Sequence, residues 1–134
     1  MKSLTIAKVS QVRGGHIDLH GLEKVLGVPD GGQVLLVGTS SKFIRVIPVS
    51  SSAVIMLRVA FYLSDFAVSA RQVLKVLKGM GVSMIHSTGF CPMDDYCLWE
   101  GFFESHFETQ ISQFVEWLKS HDTVLDVELE RLEP

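Results

Sequence analysis

Beyond residue 53 the apolar positions keep regular periods. Ile55, Leu57, Val59 and Phe61 alternate with Val54, Met56, Arg58, Ala60 and Tyr62, a period of two that predicts a strand over 54–62. Ser64-Asp65 is placed to open a helix with Ala67, Ala70, Val73, Leu74 and Leu77 on one stripe. Arg71, Lys75 and Lys78 lie opposite, and Gly79 is the expected stop. Val82–Thr88 reads as a strand, Gly89–Asp95 as a loop and Tyr96–Phe103 as a strand. Ser105-His106-Phe107-Glu108 has the spacing of a capping box, and Phe107, Ile111, Phe114, Val115 and Leu118 follow at helical intervals. In the last strand Leu125, Val127 and Leu129 alternate with Asp126, Glu128 and Glu130. Right-handed crossovers turn this βαββαβ order into a four-stranded antiparallel sheet with both helices on one face, the ferredoxin-like arrangement. The other face stays uncovered and partly apolar, which favours association.

The opening stretch is less regular. Leu4, Ile6 and Lys8 alternate with Thr5, Ala7 and Val9 as a strand would, until Gly14-Gly15 breaks the run and Ile17 and Leu19 flank Asp18. Leu22, Val25 and Leu26 predict a short amphipathic helix stopped by Gly27. Pro29-Asp30-Gly31-Gly32 marks a turn, and strands follow over Gln33–Gly38 and Phe43–Val49. Pro48-Val49-Ser50-Ser51-Ser52 reads as a linker, dividing the chain into 1–49, a linker at 50–53, and 54–134. Some fifty residues rarely enclose a core alone, so the first segment is expected to interleave its strands with a second copy as an obligate dimer.

Composition narrows the class. The chain has 134 residues, 47% of them hydrophobic and 20% charged, as in an ordinary globular protein and unlike a disordered one. The longest apolar run, Ala53 to Leu63, contains Arg58 and is too short to cross a bilayer. The opening residues carry no signal-peptide pattern, and two cysteines make no disulfide framework, so a reducing cytoplasm is the expected compartment. Charge is uneven. Residues 1–50 hold six Lys/Arg against three Asp/Glu, net +3, and residues 51–134 hold six against twelve, net −6. A basic part suited to an anionic partner is thus joined to an acidic part that would repel one. No nucleophile elbow, Walker loop, zinc-protease motif or dinucleotide fingerprint occurs, which argues against an enzyme and names no cofactor.

Two resemblances rest on these residues. Gly15-His16-Ile17-Asp18-Leu19-His20-Gly21-Leu22-Glu23-Lys24-Val25-Leu26-Gly27-Val28-Pro29-Asp30-Gly31-Gly32-Gln33-Val34 resembles the core of the AbrB/SpoVT/MazE swapped-hairpin family. Leu26-Gly27-Val28, the following glycine and the Val strand match. Leu19-His20 stand where that family has Ile-Pro-Lys, and Gly32 where it has Asp. The resemblance implies half of a dimeric DNA-binding β-barrel. Residues 54–132 resemble the ACT family, small regulatory modules of the same βαββαβ order that often bind amino acids between subunits. Leu63-Ser64-Asp65-Phe66-Ala67 keeps the Asp of that family's Asp-x-Pro-Gly loop and lacks its Pro and Gly. The expected fold is therefore α+β, a swapped-hairpin half-barrel followed by an ACT-like domain.

The candidate sites follow. Lys8, Arg13, His16 and Lys24, with His20, surround the Gly14-Gly15 break and are the expected DNA contacts; the same residues also suit a solvated barrel surface. Arg58, Ser64, Asp65 and Phe66 are the candidate ligand set, implied by the ACT resemblance. Arg58 either forks a ligand carboxylate or pairs with an acid across a subunit interface, and Asp65 either holds an ammonium or caps its helix. His86, Cys91, Asp94, Asp95 and Cys97 crowd one hairpin, but Cys-x5-Cys lacks a zinc spacing, so no metal site is assigned and the thiols are expected to pack as small hydrophobes. The expected function is a dimeric DNA-binding transcriptional regulator whose second domain oligomerises and senses a small metabolite, plausibly an amino acid. The alternative is a regulatory or interaction subunit of a metabolic enzyme that makes no DNA contact.

Overall fold

The computed structural model describes residues 5–92 and 94–134. The chain is mixed α and β, with three α-helices among the described residues, and it separates into two compact units, Met1–Pro48 and Val49–Pro134.

In the N-terminal unit β1 (Val12–Arg13) pairs antiparallel with β2 (His16–Ile17) around Gly14 and Gly15, both at left-handed φ. Two successive positive φ values give the turn whose twist suits a two-residue hairpin. α1 (Glu23–Leu26) ends at Gly27 as expected, and β3 (Gln33–Gly38) pairs with β4 (Ile44–Val49). The strand expected to start at Leu4 does not form over residues 5–9, and Leu4 itself lies outside the described residues. With no neighbouring strand to bond, the alternation there has no sheet to join. The two strand pairs close no barrel within one chain. Leu35 and Val37 are buried, whereas Ile6, Val12, Val25, Leu36, Phe43 and Ile44 are each more than half exposed.

The C-terminal unit is built on β5 (Val54–Tyr62), which lies between β7 (Tyr96–Glu104) and β8 (Val124–Leu132). β6 (His86–Phe90) pairs with the far side of β7, so the sheet order is β6-β7-β5-β8 with every neighbour antiparallel. α2 (Phe66–Gly79) and α3 (Glu108–Lys119) pack on one face, the split-βαβ connectivity expected from the element order. Ile55, Leu57, Val59 and Phe61 point into that core with Trp99, Phe103, Ile111 and Phe114, and each is almost fully buried. Burying one such side chain contributes roughly 1.5–3 kcal/mol, so this face of β5 is the main source of the unit's stability.

Several local expectations are corrected. The buried face of α2 carries Phe66, Ser69, Val73, Val76 and Leu77, while Ala67 and Leu74 are exposed. The Phe66 ring meets Phe61 edge-on, with centroids 6.2 Å apart, and this contact sets the helix phase. Gly79 is the last residue of α2; the left-handed residue that reverses the chain is Gly81, at φ 73°. Val82–Ile85 is not strand, and β6 runs on through Phe90. In β8 the register steps from Ala60–Asp126 to Phe61–Val124, so Leu125 is the extra residue of a bulge and turns outward. Neither Ser64-Asp65 nor Ser105-x-x-Glu108 caps its helix. Each forms part of a 3₁₀ turn, and no side-chain cap bond is made.

The serine stretch is not a free linker. The Glu104 carboxylate accepts the Ser50 and Ser51 amides at 2.9 and 2.8 Å, the Ser50 hydroxyl at 3.3 Å, and the Ser51 hydroxyl. The Ser51 oxygen in turn accepts the Ser105 amide at 3.1 Å, and Ala53 is buried. Pro48 lies inside β4, an edge strand of its two-stranded sheet, where proline is tolerated. Partial burial pushes the Glu104 carboxyl up, but the bonds from Ser51 and Ser50 outweigh it and hold the group below its ordinary value. A depressed folded value means that the contribution is complete above the unfolded value and is lost as pH falls through the folded one. Glu104→Gln is therefore expected to lower stability by about 1–3 kcal/mol at neutral pH. The gap to the parent should close in acid, as measured by urea unfolding across pH.

Candidate functional site

The Gly14-Gly15 hairpin puts Arg13 directly opposite His16 on one side and Val12 opposite Ile17 on the other. Lys8, Val9, Ser10 and Gln11 approach this hairpin, and together with Arg13, His16, Ile17 and Asp18 they line an open hollow of about 480 Å³. Three of the four expected DNA contacts, Lys8, Arg13 and His16, thus meet on one surface. Lys24 does not line it and lies in α1.

The cations in the hollow are positioned by their neighbours. Lys8 Nζ donates to the His20 carbonyl at 3.0 Å and lies 3.5 Å from Asp18 Oδ2. Arg13 donates twice to Gln11 Oε1, from Nε at 3.3 Å and Nη2 at 2.8 Å. The Asp18 carboxyl is held below its ordinary range by the His20 amide, at 2.9 Å, with Lys8 adding to the effect. Ser10 Oγ donates to the Asp18 carbonyl at 3.4 Å. Two fixed cations against one carboxylate leave the hollow with a positive excess, and His16 stands exposed at its rim. Gln11 and Asp18 were not singled out by sequence reasoning. Gln11 stands two residues before Arg13, the spacing at which side chains share one side of an extended chain, and that was the available signal.

The other ligand candidates are dispersed. Arg58 sits on the sheet face away from the helices, level with Glu100 in β7 and Glu128 in β8. Its guanidinium donates to Glu128 at 2.9 Å and to Glu100 at 3.5 Å, an ion triad across three strands of one chain. The Glu128 hydrogen bond, reinforced by Glu100 against partial desolvation, keeps Arg58 more firmly protonated than a free arginine. Ser64 and Asp65 lie in the 3₁₀ turn after β5, where Ser64 Oγ donates to Asp65 Oδ2 at 3.2 Å. Phe66 is turned into the helix-covered core, over Gly89 of β6; a Cβ on that glycine would stand 3.2 Å from Phe66 Cζ. Within one chain, therefore, Arg58 and Phe66 face opposite sides of the sheet.

The crowded hairpin also differs from expectation. Cys91 and Cys97 are joined by a disulfide, so they are not free thiols. Among the described residues no group of three or more His, Cys, Asp and Glu side chains converges as a metal site would require. The disulfide also removes the premise on which a reducing compartment was inferred from the cysteine count. No helix among the described residues is long and apolar enough to cross a membrane.

A second hollow of the N-terminal unit, about 510 Å³, is lined by Thr5, Ile6, Leu19, Leu22, Val25, Leu26 and Val46, and all but the threonine are apolar. Gly32, just before β3, is constrained here, because a Cβ would run into the Val28 side chain and come within 2.9 Å of the Pro29 carbonyl. The chain has no significant match among protein-family models, curated proteins or solved structures.

Replacing Arg58 would leave Glu100 and Glu128 flanking β5 without a cation between them. Because Arg58 and Glu128 are both more than a third exposed, Arg58→Leu is expected to cost about 0.5–1 kcal/mol at neutral pH and less in acid. Thermal unfolding at the two pH values reads the difference.

Proposed function

We propose that the chain is a dimeric DNA-binding regulator. In this reading the N-terminal unit pairs with a second copy through its exposed apolar residues, completing a swapped-hairpin barrel, and presents the Lys8–Arg13–His16 hollow twice. The observation that carries the reading is the meeting of those three side chains beside a two-glycine turn, where backbone and cations can approach a sugar-phosphate strand together. The apolar exposure of the same unit supports the dimer, since a fold with two buried apolar residues among those described and so many outside gains most by covering them with its own kind. The charge division supports it further: the acidic C-terminal unit is kept off the polyanion and left for oligomerisation and for sensing a small metabolite, an amino acid in the ACT-like reading, at the Ser64–Phe66 turn. A DNA partner goes with a cytoplasmic setting and no catalytic role.

One observation favours the alternative, a regulatory or interaction subunit without DNA contact. Lys8 and Arg13 are each already bonded inside their own unit, to Asp18, the His20 carbonyl and Gln11. Exchanging these bonds for phosphate contacts gains less than recruiting free cations would.

Mobility-shift titrations of the full chain across a salt series separate the two. DNA binding by a dimer, which brings two copies each of Lys8 and Arg13, predicts a log–log salt slope of about −3.5 or steeper, with Lys8→Ala and Arg13→Ala each flattening it by about two units. Sedimentation at the same concentrations should give a dimer. No shift even at low salt, with the dimer intact, would sink the regulator and leave the interaction subunit.

A further inference from the structure

The β6–β7 ladder pairs His86 with Phe102, Ser87 with Gly101, and so on to Phe90 with Leu98. One further step along that register sets Cys91 opposite Cys97, so the disulfide closes the hairpin just where its ladder ends. The two sulfurs have unlike surroundings. Cys97 is fully buried and faces Phe61 across the β5–β7 ladder, while Cys91 is exposed.

The closed end also holds the turn that follows β5. The Leu63 amide, first in the 3₁₀ turn Leu63–Asp65, donates to the Asp95 carbonyl at 3.2 Å. Phe66, at the start of α2, rests on Gly89. Asp95 lies two residues before Cys97 and Gly89 two residues before Cys91, so both supports of the turn are anchored beside the disulfide.

We infer that Cys91–Cys97 is a thiol-exchange site, open to dithiols at Cys91, whose reduction releases the Leu63–Phe66 turn. A thiolate of the dithiol attacks the sulfur of Cys91, the exposed member of the pair; the Cys91–Cys97 bond breaks, and Cys97 leaves with the electron pair and takes a proton. The second thiolate of the reagent then attacks the reagent sulfur of the mixed disulfide, forming the reagent's own disulfide and returning Cys91 as a thiol. Two protein sulfurs are reduced and one dithiol is oxidised, so the exchange balances. Cys97 remains in the core as a small hydrophobe. The far end of the hairpin, no longer cross-linked, frays, and Asp95 stops holding Leu63. The inference does not depend on DNA binding, and it gives the turn bearing Ser64, Asp65 and Phe66 two states of order.

Hydrogen exchange of the full chain, read by mass spectrometry with and without dithiothreitol, tests it. The Leu63 amide should exchange at least about tenfold faster after reduction, while amides in the centre of β5 keep their protection, and oxidised glutathione should restore the slow rate. Brief reduction followed by maleimide should label Cys91 before Cys97. The Cys91→Ser/Cys97→Ser variant should show the fast Leu63 rate with or without dithiothreitol; if it does not fold, the reduced parent chain carries the test alone. Unchanged Leu63 exchange after complete reduction, labelling of Cys97 first, or two thiols that oxidised glutathione fails to join would each overturn the inference.

Discussion

The inward side of β5 is the constraint on which the C-terminal unit depends. Ile55, Leu57, Val59 and Phe61 are sealed between two helices and flanked by strands on both edges, so the strand is fixed in both directions. A slip of one residue would bring Arg58 into the core and put Leu57 beside two carboxylates. The Arg58–Glu100–Glu128 triad holds the same register from the other face, since its three members are ladder partners. Packing and charge therefore select one alignment. The N-terminal unit has no such strand. Among its described residues only Leu35 and Val37 are buried apolar side chains, while Val12, Leu36 and Ile44 on its short strands stay more than half exposed.

Where a period of two or of 3.6 residues is backed by full burial, the sequence was readable. β5 falls on its expected residues, β7 and α3 lie within one or two, and the α3 stripe of Ile111, Phe114, Val115 and Leu118 is the buried one. What was not readable depends on contacts between elements, local or distant in sequence. The phase of α2 is decided by Phe66 meeting Phe61, and stripe counting among alanines and leucines cannot sense it. The Leu125 bulge adjusts β8 to β5. The serines after Pro48 looked unstructured because their partner, Glu104, is more than fifty residues away. In each case local polarity was correct and the partner was hidden.

The candidate site shows the same division. That Lys8, Arg13 and His16 share a surface follows from a glycine pair and a two-residue hairpin, both local, and it was legible. That Asp18 and Gln11 occupy those cations was not, because hydrogen-bond choice among neighbouring polar side chains depends on backbone direction. The ligand set implied by the ACT-like order is not brought together within one chain. Arg58 and Phe66 are eight residues apart, close enough to look like one site, yet strand parity and the turn send them to opposite faces. Parity is visible in a sequence; where the turn after the strand delivers the next side chain is not.

Taken together, the bonds around the β5–α2 turn and the serine stretch share a physical form. At each, a connecting segment is held by a few polar contacts to a distant strand end: Leu63 to Asp95 at one end of β5, and Ser50 and Ser51 to Glu104 at the other. Leu63, Ser50 and Ser51 themselves lie outside the apolar core, while Phe66 and Ala53 beside them are packed into it, so each connection can loosen locally on a unit whose core stays in place. Conditions that leave the core untouched can still act on them, acid through the Glu104 carboxylate and thiols through Cys91. A rigid sheet with two separately breakable attachments can change order at its connections without unfolding.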